Sequence, residues 1–319
     1  MPSANSTFTE MVTTTLRNHP SEIADNVSLN NALYNRLKTK GKIKKLSGGY
    51  EIVKPLDYAE NSTFQRYSGY DTLNVSASDV LSAAKYDWVQ SAVHVTASGR
   101  ELRMNSGREQ LIDLAAARTR NAMRTAANNM SLDLYSTGAL ANQMGGLGHI
   151  ITSDGTGTVG GIVAGTFTFW KNQFYEMTDV PSNTTMNLWM NKLWLLCVRG
   201  ADKPDLIVSS HDFYSFYWNQ LQALQRYASA DQATSGFQSL KFVTADVIFD
   251  NNSNFGTTAE IMYFVNSEYL ELAAHKDANW SVLPEKVSVN QDAEVVPIIW
   301  MGQLTCSNRS LQGKLLDAV

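Results

Sequence analysis

Residues 98–136 read SGRELRMNSGREQLIDLAAARTRNAMRTAANNMSLDLYS, and they decide the architecture of this chain. Apolar or small residues recur at Leu111, Leu114, Ala115, Ala122, Ala126, Met130 and Leu134, a spacing near 3.6 that draws one buried stripe along a helix. Arg108, Arg118, Arg120, Arg124 and Asp113 supply the polar positions around it. No Gly or Pro interrupts Leu111–Leu134, the composition is Ala-rich, and Gly138 stands where a helix stop is expected. At about 1.5 Å per residue, roughly 25 to 30 helical residues make a rod of about 40 Å. Such a helix acts as a spine, and the segments on either side must pack against it.

Those segments alternate between extended and helical text. Tyr50–Leu56 alternates in polarity, with Pro55 marking an edge position. A polar and aromatic span follows with Tyr58, Phe64, Tyr67 and Tyr70. Tyr86–Ala97 then reads as a strand with Val89, Val93 and Val95 on one face. Two strands flanking a span too polar for its own core predict a long hairpin that projects and needs a partner to cover it. After the spine, 138–165 is a Gly-rich loop with short strands near Ile150–Thr152. Helices are expected over Phe167–Met177 and Thr185–Trp194. Pro204–Ser210 reads as a buried strand leading into a helix from His211 to Tyr227. Ala228–Phe237 is a polar loop, and strands follow at Leu240–Phe249, Ile261–Val265 and within Val282–Leu304. Strands and helices mixed around one spine define an α+β chain, organised as two lobes.

Composition narrows the function classes. The chain has 319 residues, 44% of them hydrophobic and 18% charged, which describes a globular protein with ample core. With 13 Tyr, 12 Phe and 7 Trp it carries aromatic surface suited to a core or to contacts between subunits. The net charge of −4 gives no global signal for nucleic acid. Cys197 and Cys306 are the only cysteines, which fits a reducing compartment and excludes a disulfide framework. The N-terminus lacks the basic start and apolar stretch of a secretory signal, and no apolar run reaches membrane-spanning length. Residues 1–35 read as an arm anchored by Phe8, Met11, Leu16, Ile23, Leu29 and Leu33. Next come Arg36, Lys38, Lys40, Lys42, Lys44 and Lys45, six cations in ten positions, suited to phosphate, to an acidic neighbour or simply to solvent.

Catalytic motifs are weak. Gly155-Thr-Gly-Thr-Val-Gly160 is formally a GxGxxG, but a dinucleotide site needs a strand before it and a helix after it. The following Gly-Ile-Val-Ala-Gly is a poor helix. The histidines at 19, 94, 149, 211 and 275 lack metal-ligand spacing. His211-Asp212 beside Ser209 and Ser210 has the residue types of a triad, yet adjacent residues at a helix start cannot form one. Asp246, Asp250 and Asp292 stand apart, without evident partners. No cofactor or metal is expected, and no enzyme activity.

A basic arm, a projecting hairpin, a spine helix and a second lobe describe a shell-forming subunit. The chain resembles major capsid proteins of tailed bacteriophages with the HK97-type fold. The likeness is carried by Trp88-Val-Gln-Ser-Ala-Val-His-Val-Thr-Ala-Ser-Gly-Arg-Glu101, by Pro204-Asp-Leu-Ile-Val-Ser-Ser with the helix ending Gln225-Arg226-Tyr227, and by the tail from Trp300 to Leu316. The resemblance implies an N-terminal arm over 1–47, an extended loop over 48–97 and a peripheral domain over 98–189 containing the spine 98–136. An axial domain over 190–285 and peripheral C-terminal strands over 286–319 would follow. It further implies pentamers and hexamers of an icosahedral head assembled in a host bacterial cytoplasm, with the chain located in the virion capsid. Its partners would be further copies of itself, a portal, decoration proteins in some heads, and packaged double-stranded DNA held without sequence reading. Met1 lies only some 45 residues before the hairpin, which favours a separate scaffolding protein. Tyr58, Phe64, Tyr67 and Tyr70 would touch a neighbouring subunit, and the six cations from Arg36 to Lys45 would serve the arm. Lys54 and Lys85 lie off the hairpin tip, so a covalent crosslink is not carried over. The alternatives are an encapsulin-type nanocompartment shell, a cytosolic nucleotide-dependent enzyme using Gly155–Gly160, and a DNA-binding module using the basic run.

Overall fold

The computed structural model describes residues 31–104, 114–179, 181–182, 184–224, 240–250, 260–284, 286–287 and 291–317. Among these residues the helices are α1 (Ala32–Thr39), α2 (Gly99–Met104), α3 (Leu114–Leu134), α4 (Leu147–Ile150), α5 (Met186–Cys197) and α6 (His211–Leu224). The first seven strands are β1 (Ile43–Leu46), β2 (Ile52–Asp57), β3 (Leu81–Tyr86), β4 (Val89–Ser98), β5 (Thr158–Val159), β6 (Ile162–Val163) and β7 (Gln173–Met177). The others are β8 (Leu206–Ser209), β9 (Leu240–Phe242), β10 (Ala245–Phe249), β11 (Ile261–Val265), β12 (Leu270–Val282), β13 (Lys286–Val287), β14 (Ala293–Cys306) and β15 (Gly313–Asp317).

Two sheets organise them. One runs β1-β12-β14-β13, with β4 laid antiparallel along β14 from Val89↔Gly302 to Ser98↔Ala293. The other runs β7-β15-β11-β8-β10-β9. Its central strands read as unbroken apolar runs because both faces are covered. Leu206, Val208, Tyr263 and Val265 point into one core, shared with the first sheet and α3. Ile207, Met262, Phe264 and Leu315 point the other way, into an aromatic-rich core under α5 and α6. The period of two along each strand thus makes this sheet a wall between two cores.

The spine stripe holds where it can be seen. Ala122, Ala126, Met130 and Leu134 are buried at a strict spacing of four. Leu111 lies outside the described residues, as do the side chains of Leu114 and Ala115. The helix ends in a tightened turn, Tyr135 N–H donating to Leu132 O (3.2 Å) and Ser136 N–H to Asp133 O (3.1 Å). Gly138 takes its left-handed φ of 69° in the turn beyond. Asn31 caps α1, accepting from Tyr34 N–H at 2.7 Å, while its own amide donates to Ser131 Oγ on α3 at 2.7 Å.

Several expectations need correction. The return strand of the hairpin is β3, whereas β4, expected to fill that role, lies in the body on β14. Phe167–Met177 is not a helix: Thr168–Trp170 makes one 3₁₀ turn and β7 follows, parallel to β15. Ile150–Thr152 is not a strand, for Ile150 ends α4. The sheets cut across the expected domain limits. β12, within 190–285, pairs with β1 and β14 in the first sheet, and β15, within 286–319, joins the second sheet. Residues 31–47, expected as arm, form α1 and β1 and are built into the body; 1–30, the 228–237 loop and most of the 250–256 turn lie outside the described residues.

Candidate assembly surfaces

The hairpin is built so that its base is fixed and its tip is bare. In the β2–β3 ribbon, Ile52↔Tyr86, Lys54↔Ala84 and Leu56↔Ser82 share one face. Ile52, Leu56, Ala84 and Tyr86 on that face are buried. Lys54 lies among them, only partly exposed, and pairs with Glu271 on β12, to which Lys44 also reaches at 3.2 Å. Attraction of Lys54 and Lys44 outweighs desolvation and holds the Glu271 carboxyl below its usual range. Lys85 N–H donates to Gly160 O at 2.9 Å, and Tyr86 Oη bonds to the Cys306 backbone.

The GxGxxG stretch serves this base. β5 and β6 form a tight antiparallel pair joined by Gly160-Gly161, both left-handed (φ 60° and 74°), as a two-residue hairpin turn demands. No helix follows, so there is no helix N-terminus to meet a pyrophosphate, and the dinucleotide reading is corrected. A Cβ on Gly160 would stand 2.8 Å from Ala84 Cβ and 3.1 Å from the Tyr86 ring, so only glycine allows the hairpin base this close. Arg309, completely buried, braces the surrounding loops. Its guanidinium donates to Ile150 O, to Thr156 O (2.7 Å), to Thr152 Oγ1 (3.0 Å) and to Trp170 O (3.4 Å). Burial lowers its pKa from the usual value.

At the tip, Phe64 is 78% exposed, Tyr67 65% and Tyr70 fully so. Arg66 sits 5.9 Å above the Phe64 ring. Tyr58 differs from these three, because its ring packs on Phe169 of its own subunit at 5.3 Å.

The basic run is largely neutralised within the chain. Arg36 pairs with Asp205 (3.4 Å) and Asp246 (3.0 Å), and Lys40 with Asp205 (3.4 Å). Lys42 pairs with Glu268 (2.8 Å) and Lys44 with Glu271. Lys38 and Lys45 point to solvent.

The three carboxylates expected to stand alone do not. Asp246 meets Arg36, Asp292 meets Arg103 (2.9 Å), and Asp250 accepts from buried Tyr135 Oη (2.7 Å). His211 Nδ1 and Asp212 Oδ1 are 3.9 Å apart and both exposed. Ser209 Oγ donates to Ser210 O, and Ser210 Oγ accepts from Ile261 N–H. These four residues therefore assemble no relay. Among the described residues no group of three metal-ligating side chains converges, and no helix is long and apolar enough to cross a membrane.

One constellation went unread in the sequence although its signal is there. Ser98-Gly-Arg-Glu101 is a capping box: Glu101 N–H donates to Ser98 Oγ (3.3 Å) and Ser98 N–H to Glu101 Oε2 (3.1 Å). Arg118 on α3 clasps the same carboxylate through two nitrogens, each at 3.1 Å, and donates to Thr96 O at 2.8 Å. This pairing depresses the Glu101 carboxyl to about 2.

No family model and no curated protein matches this sequence. Solved structures do. The capsid of cyanophage A-1(L) superposes with a TM-score of 0.67 at 14% identity, covering 94% of this chain and 96% of the other. The capsid of Myoviridae phage XM1 gives 0.61 at 13%, again over 94% and 96%. The holo encapsulin complex of Synechococcus elongatus gives 0.57 at 7%, over 92% and 91%. The chain therefore has the α+β fold of shell-forming capsid subunits, and within that class the HK97-type fold.

Proposed function

We propose that this chain is the major capsid protein of a tailed double-stranded DNA bacteriophage, assembling through pentamers and hexamers into an icosahedral head. The observation that carries the reading is the end-to-end match to phage capsid subunits, both chains being covered almost completely. The hairpin agrees with it, since a ribbon docked at its base and aromatic at its tip is suited to reach another subunit. In this reading Phe64, Tyr67 and Tyr70 touch a neighbour, while Tyr58 steadies the hairpin from within. Leu188, Leu195 and Leu196, exposed on α5, add a second apolar surface for neighbouring copies. Identical subunits close a shell through heterologous contacts that are completed by rotation. Lys38 and Lys45 are the members of the basic run free to meet DNA, portal and scaffolding proteins are the expected partners, and the role is structural.

The encapsulin match supports a second reading with the same assembly physics, a nanocompartment shell around a cargo protein. The deciding experiment is expression alone and with neighbouring genes, followed by sedimentation and electron microscopy. Megadalton shells or capsomer rings support shell formation. Nuclease-protected DNA inside particles from the native source marks a virion; a protein cargo marks a nanocompartment. A monodisperse species of one to four copies in every preparation overturns both.

A further inference from the structure

Lys314 is a buried amine with no acid beside it. It lies on β15 between Tyr263 of β11 and Phe174 of β7, and it is only 8% exposed. Among the described residues no carboxylate pairs with it. Its partners are the Tyr263 ring, whose centroid is 5.5 Å from Nζ, and Ser153 Oγ at 3.0 Å. An isolated buried charge is costly, and the amine answers by giving up its proton more easily. Burial accordingly holds its pKa below the ordinary lysine value. Ser153 is exposed, so Nζ reaches the surface at that one hydroxyl.

The turn that carries Ser153 is fixed from several sides. Thr152 N–H donates to Asn172 Oδ1 (3.1 Å), and Asn172 Nδ2 donates back to Thr152 O (2.9 Å). Arg309 holds Thr152 Oγ1 and Thr156 O, and Asp154 Oδ1 accepts from Thr156 N–H at 3.0 Å. Gly155 closes the turn at a left-handed φ of 69°, where a Cβ would stand 2.9 Å from Asn172 O. The backbone N–H groups of Asp154 and Gly155 meet no acceptor among the described residues. One rigid turn thus presents a hydroxyl and two unused donors in consecutive residues, with an amine behind the hydroxyl.

We propose that Ser153 and Lys314 form a nucleophile–base pair that takes an acyl group from a small ester. A hydroxyl is a weak nucleophile until an adjacent base removes its proton, and a desolvated lysine is such a base. Neutral Lys314 Nζ accepts the Ser153 proton as Oγ bonds to the ester carbonyl carbon. The N–H groups of Asp154 and Gly155 are the donors for the oxyanion that forms. The bond to the alcohol then breaks, and the leaving oxygen takes the proton from the Lys314 ammonium. Water attacks the acyl-serine in the same way, giving its proton to Lys314. Ser153 Oγ leaves with that proton, and the acid is released. The pair needs no metal, cofactor or second copy, so it is independent of shell formation.

The test treats the full chain with a biotinylated fluorophosphonate, locates adducts by peptide mass spectrometry, and follows hydrolysis of p-nitrophenyl acetate across pH. Expected are an adduct at Ser153, its loss in Ser153→Ala, and labelling about a hundredfold slower in Lys314→Met. Lys314→Arg keeps a cation that cannot deprotonate, and it should be as inert as Lys314→Met. The wild-type rate should rise with pH along one titration whose midpoint lies below the ordinary lysine value, a profile that a lysine with a merely structural role does not impose. Circular dichroism checks the fold of each variant. No adduct at Ser153, or one that forms as fast in folded Lys314→Met and Lys314→Arg as in wild type, overturns the pair. If neither Lys314 variant folds, a wild-type labelling rate without that titration overturns it.

Discussion

The phenol of Tyr86 donates to Cys306 O at 2.8 Å and accepts from Cys306 N–H at 3.2 Å, joining hairpin strand β3 to body strand β14 through a single oxygen. The hydroxyl is buried, and desolvation raises its pKa beyond the ordinary tyrosine range, so it stays a neutral donor and acceptor at every working pH.

Tyr86→Phe keeps the ring and strands both backbone groups of Cys306. A buried polar group left unpaired costs about 1–3 kcal/mol, so chemical denaturation should show a loss in that range. Exchange of the β2–β3 amides should rise more than exchange in the second sheet.

Gly160→Ala forces a side chain into a left-handed turn and against Ala84 and Tyr86. The conformational cost alone is roughly 1–2 kcal/mol. Gly161 has the same handedness and nothing within 4 Å of a built Cβ. Gly161→Ala should therefore be the milder of the two in a thermal melt, the difference measuring how tightly the hairpin base is seated.

Arg309→Met removes donors from three backbone carbonyls while retaining much of the apolar stem. With hydrogen bonds from charged groups at about 1.5–3 kcal/mol each and some recovery through water, a loss of about 3 kcal/mol is expected. Limited proteolysis should cut first within 150–170.

Glu101 gives a pH signature. Its folded pKa of about 2 lies below the reference value of 4.5, so the clasp with Arg118 is fully present above pH 4.5 and is lost as pH falls toward 2. A carboxyl titration followed by NMR should show a midpoint near 2 in the native chain. In Arg118→Met it should move back toward 4.5, because the bidentate hydrogen bond is the largest cause of the shift.

Burial pushes the thiols of Cys197 and Cys306 up to about 12. The thiolate is the reactive form. Native protein at pH 8 should therefore resist a thiol reagent, and both cysteines should react once denaturant is added. Fast labelling of either in the native chain would contradict their placement.

The sequence made some elements legible and concealed others for physical reasons. Ala122, Ala126, Met130 and Leu134 could be read because one face of a regular helix is buried and nothing interrupts its period. β8 and β11 could be read because strands covered on both faces leave unbroken apolar runs. β3, with the sequence LSAAKY, was concealed by weak strand formers, and Val89–Ser98 next to it looked the better partner for β2. In β12, register shifts between Ala274 and Ser281 break the alternation beyond the first five residues, so the strand does not scan through to Val282. Membership of a sheet is a non-local fact: nothing in Gly313–Asp317 announces that it will lie between β7 and β11. At the candidate assembly surfaces, the exposure of the tip aromatics followed from their polar surroundings. The neutralised cations did not, because Asp205, Glu268 and Glu271 come from distant sequence.

The wall between the two cores has a thermodynamic corollary. Leu206 and Ile207 are adjacent residues of one strand, yet each is solvated only when a different core opens. Melting either side strips water-excluding cover from the strands that the other side needs intact. The two cores should consequently unfold in one cooperative transition, with calorimetric and van't Hoff enthalpies in agreement. A fold built this way answers a load applied at the hairpin or at α5 as a single elastic body.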